Sequence, residues 1–475
     1  MTWRVKTLDE ILQHAEKKAL HRSLGAFQLM MLGVGAIIGT GIFVLTAVGA
    51  ERAGPGLLLS FVIAGAVCGF AALAYAELSA MVPVSGSAYT YSYAVMGEAI
   101  AWLVGWNLIL EYAVSAAAVA VGWSGYMGGF LASVGVHMPQ ALQYGAFDFH
   151  HPGGGINVLA TGSVLAVTTM LVIGTRESAI VNSILVAVKL VALAAFIFLA
   201  LPKINLENFS PFMPYGFGST EIDGINRGVM AAAALIFFAY VGFDAVSTAA
   251  EETKNPNRNV PLGLIGSLAI CTVVYLLVTA GAIGTTPFQQ LVGNNEPLAY
   301  VLRNMGHTTV GNLVALAAIF ALPTVVMMMM YGQSRIFFVM ARDGLLPSVF
   351  SKVHPRFHTP HVITIVTGVL VALIAGFFSV DEIAELSNTG TLFAFIAVAI
   401  GVMVLRKTAP TRPRPFTCPG IWVVGPLAVL GCIYLFVSLP AVAQVRFWLW
   451  TLAGGIVYLL YGYRASPMHE RHAKK

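Results

Sequence analysis

Long, nearly uncharged apolar stretches recur twelve times along this chain, roughly at 27–50, 56–80, 97–131, 155–174, 180–201, 226–250, 261–284, 310–340, 361–379, 383–405, 421–440 and 443–463. Each has about the 20 residues that a helix needs to cross a bilayer or more, and several are long enough to tilt or to continue beyond it. The chain has 475 residues, of which 58% are hydrophobic and only 10% charged. A single water-soluble core stops growing near about 250–300 residues, so this much apolar surface needs lipid as part of its solvent. The expected fold class is therefore an all-α polytopic membrane protein with twelve transmembrane helices.

The net charge of +5 reads as topology. A nucleic-acid binder would gather its basic residues on one face of a soluble domain, whereas here they fall in short tracts between apolar runs. An even span count puts both termini on one side. Twenty of the 26 Lys and Arg residues then fall on that side, five on the other, and Lys189 inside a span. The positive-inside rule places both termini in the cytoplasm. Residues 1–24 are polar and mixed in charge, unlike a cleavable signal, and 7–18 have the pattern of a short amphipathic surface helix. The four cysteines, Cys68, Cys271, Cys418 and Cys432, have the spacing of neither a zinc site nor a disulfide framework, and no metal or cofactor is expected.

Two spans carry signs of interruption. The first contains Gly33, Gly35, Gly39 and Gly41, four glycines in nine residues, each weakening a helix by about 1 kcal/mol relative to alanine. Close helix packing through small residues is one reading; an unwound segment lining a cavity is the other. The glycines are not a nucleotide-binding loop, which would need a strand before them. The sixth span contains Phe237-Phe238-Ala239-Tyr240-Val241-Gly242-Phe243-Asp244, again with a glycine in mid-run. The two interruptions are 201 residues apart, with five spans from one to the next. That spacing suggests two five-span repeats, each opening with a discontinuous helix. A half-helix N-terminus suits a carboxylate and a half-helix C-terminus suits an ammonium. A site built from both matches the backbone of an α-amino acid.

Charges in mid-span are costly and usually have a task. Lys189 either reaches the headgroups or is a buried amine facing backbone carbonyls, and in the second case it is a candidate for proton coupling. Glu111 is a structural acid, a wall of the solute path or a proton site. Asp244 stands just beyond the sixth-span interruption and is structural or functional. Glu77, Glu251 and Glu252 lie at span ends as solvated or gating groups. The run Met327–Met330 is apolar filling, of which one residue could line a site.

Several of these segments resemble one family. Gly33-Val34-Gly35-Ala36-Ile37-Ile38-Gly39-Thr40-Gly41-Ile42-Phe43 is similar to the first-span signature of amino acid permeases of the amino acid–polyamine–organocation superfamily. Ala76-Glu77-Leu78 with Pro83-Val84-Ser85-Gly86-Ser87-Ala88-Tyr89-Thr90-Tyr91 looks like their loop after span 2. Phe243-Asp244-Ala245-Val246-Ser247-Thr248-Ala249-Ala250-Glu251-Glu252, Asn255-Pro256, Arg335 and Met340-Ala341-Arg342-Asp343-Gly344-Leu345-Leu346-Pro347 resemble the cationic amino acid transporter branch, in its bacterial form. The resemblance implies a leucine-transporter-type fold with two inverted five-helix repeats and discontinuous helices 1 and 6. The expected division is a cytoplasmic segment 1–26, repeats over 27–201 and 226–405, two further spans over 421–463, and a cytoplasmic tail 464–475. It implies that the amides of Gly39, Thr40 and Gly41 meet a solute carboxylate, and that the carbonyls of Ile37, Phe238, Ala239 and Val241 meet its ammonium. Phe238 would act as an aromatic gate, Glu111 and Met329 would line the side-chain pocket, and Lys189 would be the proton-coupling residue. Animal members of this branch have serine where Met329 stands, and a bulky apolar residue there favours alanine-sized or other neutral cargo over arginine or lysine.

The implied function is proton-coupled uptake of L-amino acids, small and neutral or cationic, across a bacterial plasma membrane. The expected partners are the amino acid, protons and the lipid bilayer, with no nucleic acid; a small membrane partner is left open. An amino acid exchanger without proton coupling is the alternative. An ion channel is more distant, because filter loops and charged rings are lacking. A membrane enzyme would need a nucleophile–base or metal constellation, and neither HExxH nor a Walker motif occurs.

Overall fold

The computed structural model of the chain describes residues 24–82, 87–148, 151–174, 179–357 and 359–466, without the side chains of 179–182 and 251. The expected surface helix at 7–18, the loop residues Pro83 to Gly86, Arg176, the Glu251 side chain and the tail from 467 lie outside the described residues.

The first apolar run forms α1 (Ala26–Ile37), stops at Ile38-Gly39, and resumes as α2 (Thr40–Phe43) and α3 (Leu45–Ala53). Gly54, with φ +58°, opens a Gly-Pro-Gly turn that feeds the chain straight into α4 (Leu57–Met81). There follow α5 (Ser87–Val95), α6 (Glu98–Ser133), the short α7 (Gln140–Gln143), α8 (Val158–Ile173) and α9 (Ala179–Ala200). Next, β1 (Thr220–Ile222) and β2 (Ile225–Arg227) pair antiparallel, with Thr220 opposite Arg227. This hairpin departs from the all-helical expectation. Its turn residues, Asp223 and Gly224, both have positive φ, as a two-residue hairpin turn requires. The strands are too short to leave an alternating pattern.

The second half begins with α10 (Val229–Ile236), which tightens into a 3₁₀ turn over Phe237–Tyr240, and resumes as α11 (Ala245–Thr248). It continues through α12 (Pro256–Thr285), α13 (Pro297–Asn304), α14 (Thr308–Arg342), α15 (His361–Phe377), α16 (Val380–Thr408), α17 (Ile421–Ser438) and α18 (Ala441–Val457). Among the described residues, nine helical stretches are long and apolar enough to cross a membrane, and α1, α8 and α15 are shorter apolar helices.

Burial sorts these helices into layers. α6 and α10 are the innermost, α6 packing along α14 and α16, while α12 lies against α1 and α4. α17 and α18 are peripheral and expose Trp422, Leu430, Trp448 and Leu452, side chains that need an apolar solvent.

Glu77 does not sit in water. It is 1% exposed, at the end of α4. Arg406 grips its carboxylate with two hydrogen bonds of 2.8 and 2.7 Å, Arg414 Nε donates at 3.2 Å, and the Cys418 amide at 2.8 Å. The solvated reading of this residue is thus corrected: it clasps the loop between α16 and α17. At the opposite end of the bundle, Arg52 of α3 is buried against Glu385 at 2.6 Å and Asp381 at 3.8 Å, both on α16.

Candidate functional site

A helix leaves its last four carbonyls without intrahelical donors, so each needs another partner. In α1 these belong to Val34, Gly35, Ala36 and Ile37. Val34 accepts from the Ile38 amide at 2.9 Å, the last rung of the helix. Gly39 then swings to φ −146°, ψ −147°, and the next rung is lost. The Lys189 ammonium takes its place, 3.0 Å from the Gly35 oxygen. Lys189 is fully buried, so the structure puts it against a carbonyl rather than among headgroups. The Ala36 oxygen faces Gly242, where a Cβ would stand 3.0 Å away and where φ is +114°. Glycine is required there on both counts. The Ile37 oxygen accepts from the Tyr275 hydroxyl at 2.8 Å.

The interruption between α10 and α11 lies directly against the one between α1 and α2. A Cβ on Gly41 would be 2.3 Å from the Ala239 Cα and 2.5 Å from its Cβ, an approach that only glycine permits. The same Tyr275 hydroxyl is 2.9 Å from the Ala239 oxygen, so one side chain of α12 spans carbonyls from both broken helices. Asn388 of α16 donates to the carbonyls of Ala234 and Leu235 at 2.7 and 2.9 Å. The Val241 amide turns back to the Phe238 oxygen at 3.1 Å, and Phe238 and Val241 are 6% and 5% exposed. The first amides of α2, those of Thr40 and Gly41, are at a helix start, where no intrahelical acceptor exists. The structure therefore brings together Ile37, Gly39, Thr40, Gly41, Phe238, Ala239 and Val241.

Side chains on α6 and α14 flank this junction. The Thr40 hydroxyl reaches the Val119 carbonyl at 3.4 Å, and Gly122 makes room for the Thr40 side chain. Tyr126 donates to the Phe43 oxygen at 2.8 Å. α14 runs antiparallel to α6, as the bonds from Trp123 to the Ile319 oxygen (2.8 Å) and from Gln333 to the Ile109 oxygen (3.2 Å) require. Val325 stands beside Gly39, its methyls 3.7 Å from where a Cβ would be. Met329 lies one turn further along the same face of α14, about 6 Å away at 1.5 Å per residue.

Glu111 lies further along α6 than the residues that flank Thr40. It is eight residues from Val119 along α6, about 12 Å. Its surroundings are those of Asp244, whose carboxylate accepts from the neighbouring Tyr112 hydroxyl at 3.2 Å. Glu111 is 2% exposed, and its Oε2 has no hydrogen-bond partner among the described residues. The direction from Val325 to Met329 along α14 runs toward the depth of Glu111. On the other side of the junction a cleft runs past Val44 and Gly122 to Tyr144, Asp148, His151 and Asp381.

Tyr275, Val325 and Asn388 were not evident from the sequence. Tyr275 stands in an ordinary apolar stretch, Val325 just after Pro323, and Asn388 in the polar run Glu385 to Thr391. The available signal was a polar side chain in mid-span, which two of the three supply.

The amino acid permease family model matches residues 24–460. The branched-chain amino acid permease BcaP of Bacillus subtilis is 45% identical over 469 residues, covering 98% of this chain and 99% of that one. The methylthioribose transporter of the same organism is 41% identical over 470 residues, covering 98% and 99%. Human cationic amino acid transporter 4 is 36% identical over 420 residues, covering 87% of this chain and 64% of that protein.

Proposed function

The chain belongs to the amino acid permease family of the amino acid–polyamine–organocation superfamily, and on that premise we propose that it is a secondary active transporter that takes up L-amino acids together with protons by alternating access. The observation that carries the reading is the seat of Gly41 on Ala239, which sets the start of one half-helix against the end of another. The solute carboxylate binds the amides of Gly39, Thr40 and Gly41, where the helix dipole is positive. Its ammonium binds carbonyls of Ile37, Phe238, Ala239 and Val241, and Phe238 closes over it. The side chain points toward Val325 and Met329, with Glu111 beyond.

This arrangement fits twelve spans, with inverted repeats over 27–201 and 226–405, two added spans over 421–463, and both termini, 1–26 and 464–475, in the cytoplasm of a bacterium. Lys189 carries the coupled proton. An apolar pocket wall favours neutral aliphatic cargo, from alanine up to the branched-chain residues after which the Bacillus relative is named. Exchange without a proton is the rival.

Uptake into proteoliposomes decides among these. A panel of alanine, branched-chain amino acids, arginine, lysine and methylthioribose is offered with and without an inward proton gradient. Gradient-driven accumulation of a neutral amino acid is expected. Counterflow that ignores the gradient would favour exchange, and accumulation of methylthioribose alone would overturn the amino acid assignment.

A further inference from the structure

At the Pro256 end of α12 a groove runs between the first turns of that helix and the loop joining α16 to α17. Its walls include Asn257, Arg258, Leu262 and Ile265 on the helix, and Pro415 and Phe416 on the loop. The groove has two chemical halves. Arg258 and Asn257, both exposed, offer a guanidinium and an amide at the helix end. Leu262 and Ile265 follow at intervals of four and three residues, so they lie on the same stripe of the helix. Leu262 is 45% exposed, and Val273, further down the helix, is 58% exposed. From Leu262 to Val273 the helix rises about 16 Å, close to half of the ~30 Å hydrocarbon core of a bilayer.

The described lining of the groove is positive. Arg258 is the one charged side chain among the described lining residues. Behind the loop, Arg406 and Arg414 share the single carboxylate of Glu77, which is buried and already holds three donors from two arginines and the Cys418 amide besides. No acid remains in this clasp to neutralise Arg258. An apolar track one leaflet long, headed by a guanidinium with no acidic partner among the described residues and by an amide donor, matches a molecule with an anionic phosphate at one end and a hydrocarbon chain at the other.

We propose that this groove is a binding site for an anionic phospholipid, with the headgroup phosphate on Arg258 and Asn257 and an acyl chain along Leu262, Ile265 and Phe416. Occupancy ties the start of α12 to the α16–α17 loop. Because α12 also carries Tyr275, the lipid buttresses the helix that spans both broken segments.

The test is thermal unfolding of the purified full-length protein in detergent, with titrated phosphatidylglycerol, phosphatidylcholine or inorganic phosphate, and native mass spectrometry to count bound lipid. Phosphatidylglycerol is expected to raise the unfolding midpoint and phosphatidylcholine is not. Each interfacial basic residue contributes roughly a fivefold change in affinity, so Arg258→Ala should need about fivefold more phosphatidylglycerol, and Arg258→Glu about 25-fold more. Leu262→Trp, which keeps the charge and fills the apolar half, should also lose the tightly bound lipid. Lys352→Glu, removing an exposed cation elsewhere, should respond as the wild type does. A wild-type response from Arg258→Glu, an equal response to phosphatidylcholine, or an equal shift from inorganic phosphate would each overturn the proposal. Lipid-free midpoints report whether each variant is folded, and if Arg258→Glu does not fold, Leu262→Trp and the lipid comparison decide.

Discussion

The Lys189 ammonium lies 3.0 Å from the Gly35 carbonyl, where the next turn of α1 would have brought the Gly39 amide. A side chain from α9 thus completes the end of a helix to which it does not belong. A charged donor makes a stronger hydrogen bond than a neutral amide does. The hold between α9 and α1 rests on one side chain rather than on a continuous backbone ladder.

Lys189→Ala should remove that hold. Transport should fall to background and its pH dependence should vanish, while solute binding survives. The Gly35 oxygen left behind should lower stability by about 1–3 kcal/mol. Uptake measured across a pH series, alongside calorimetric binding, checks this. An alanine variant with the wild-type rate and pH profile would move the proton site elsewhere, with Glu111 the next candidate.

Gly41 has no room for a side chain. Even Gly41→Ala places a methyl against the Ala239 backbone and must push the two broken helices apart, and Gly41→Leu should abolish binding outright. Equilibrium binding of alanine or leucine to the purified variants measures the loss. Undiminished affinity in Gly41→Leu would take the first interruption out of the site.

Met329 lies one turn from Val325 on α14, in the direction of Glu111. Shortening it in Met329→Ser should open a path to that acid and extend the cargo toward arginine and lysine. Adding Glu111→Gln should cancel the gain. Competition of labelled alanine uptake by arginine reads the change directly; an unaltered cargo profile in Met329→Ser would place Met329 outside the pocket.

Tyr275→Phe deletes the one hydroxyl shared by the Ile37 and Ala239 carbonyls. At least one buried acceptor loses its donor, so the unfolding midpoint should drop, corresponding to about 1–3 kcal/mol. Solute affinity should weaken with it, because the two half-helix ends are no longer tied together. A midpoint equal to that of the wild type would argue that the carbonyls find other donors.

Cys418 reports on the Glu77 clasp. Burial, and then the nearby Glu77 carboxylate, push its thiol up to about 11. The folded protein therefore keeps it protonated at pH 8, and a maleimide should label it slowly. Glu77→Ala strands two arginines and should destabilise the fold by about 3 kcal/mol. It should also free the loop, so that Cys418 labels at the rate of an exposed thiol. Fast labelling of the wild type at pH 8 would contradict the clasp.

The sequence revealed most where chemistry is local. Apolar run lengths place every long helix within a few residues, and the glycines at 39, 41 and 242 mark both interruptions, because an interrupted helix needs unusual residues at the break itself. What fills the break is not local. Tyr275 is 238 residues from Ile37, and Asn388 is 154 from Ala234. Neither differs from any other polar residue in a helix until the helices are packed. Glu77 misled for the same reason: an acid at a span end looks solvated until arginines 329 and 337 residues away are brought to it. The position of Glu111, about two turns along α6 from Val119, follows from the register of α6 against α1, which no motif encodes.

The buried Arg52, held between Glu385 and Asp381, has a dynamic consequence. Opposite charges 4 Å apart attract by about 4 kcal/mol where the effective dielectric constant is near 20, and by only about 1 kcal/mol in bulk water. The first water molecules to reach the trio thus weaken the very attraction that keeps α3 and α16 together. Each increment of wetting lowers the cost of the next, so this end of the molecule should part abruptly rather than by degrees, behaving more like a snap fastener than a hinge.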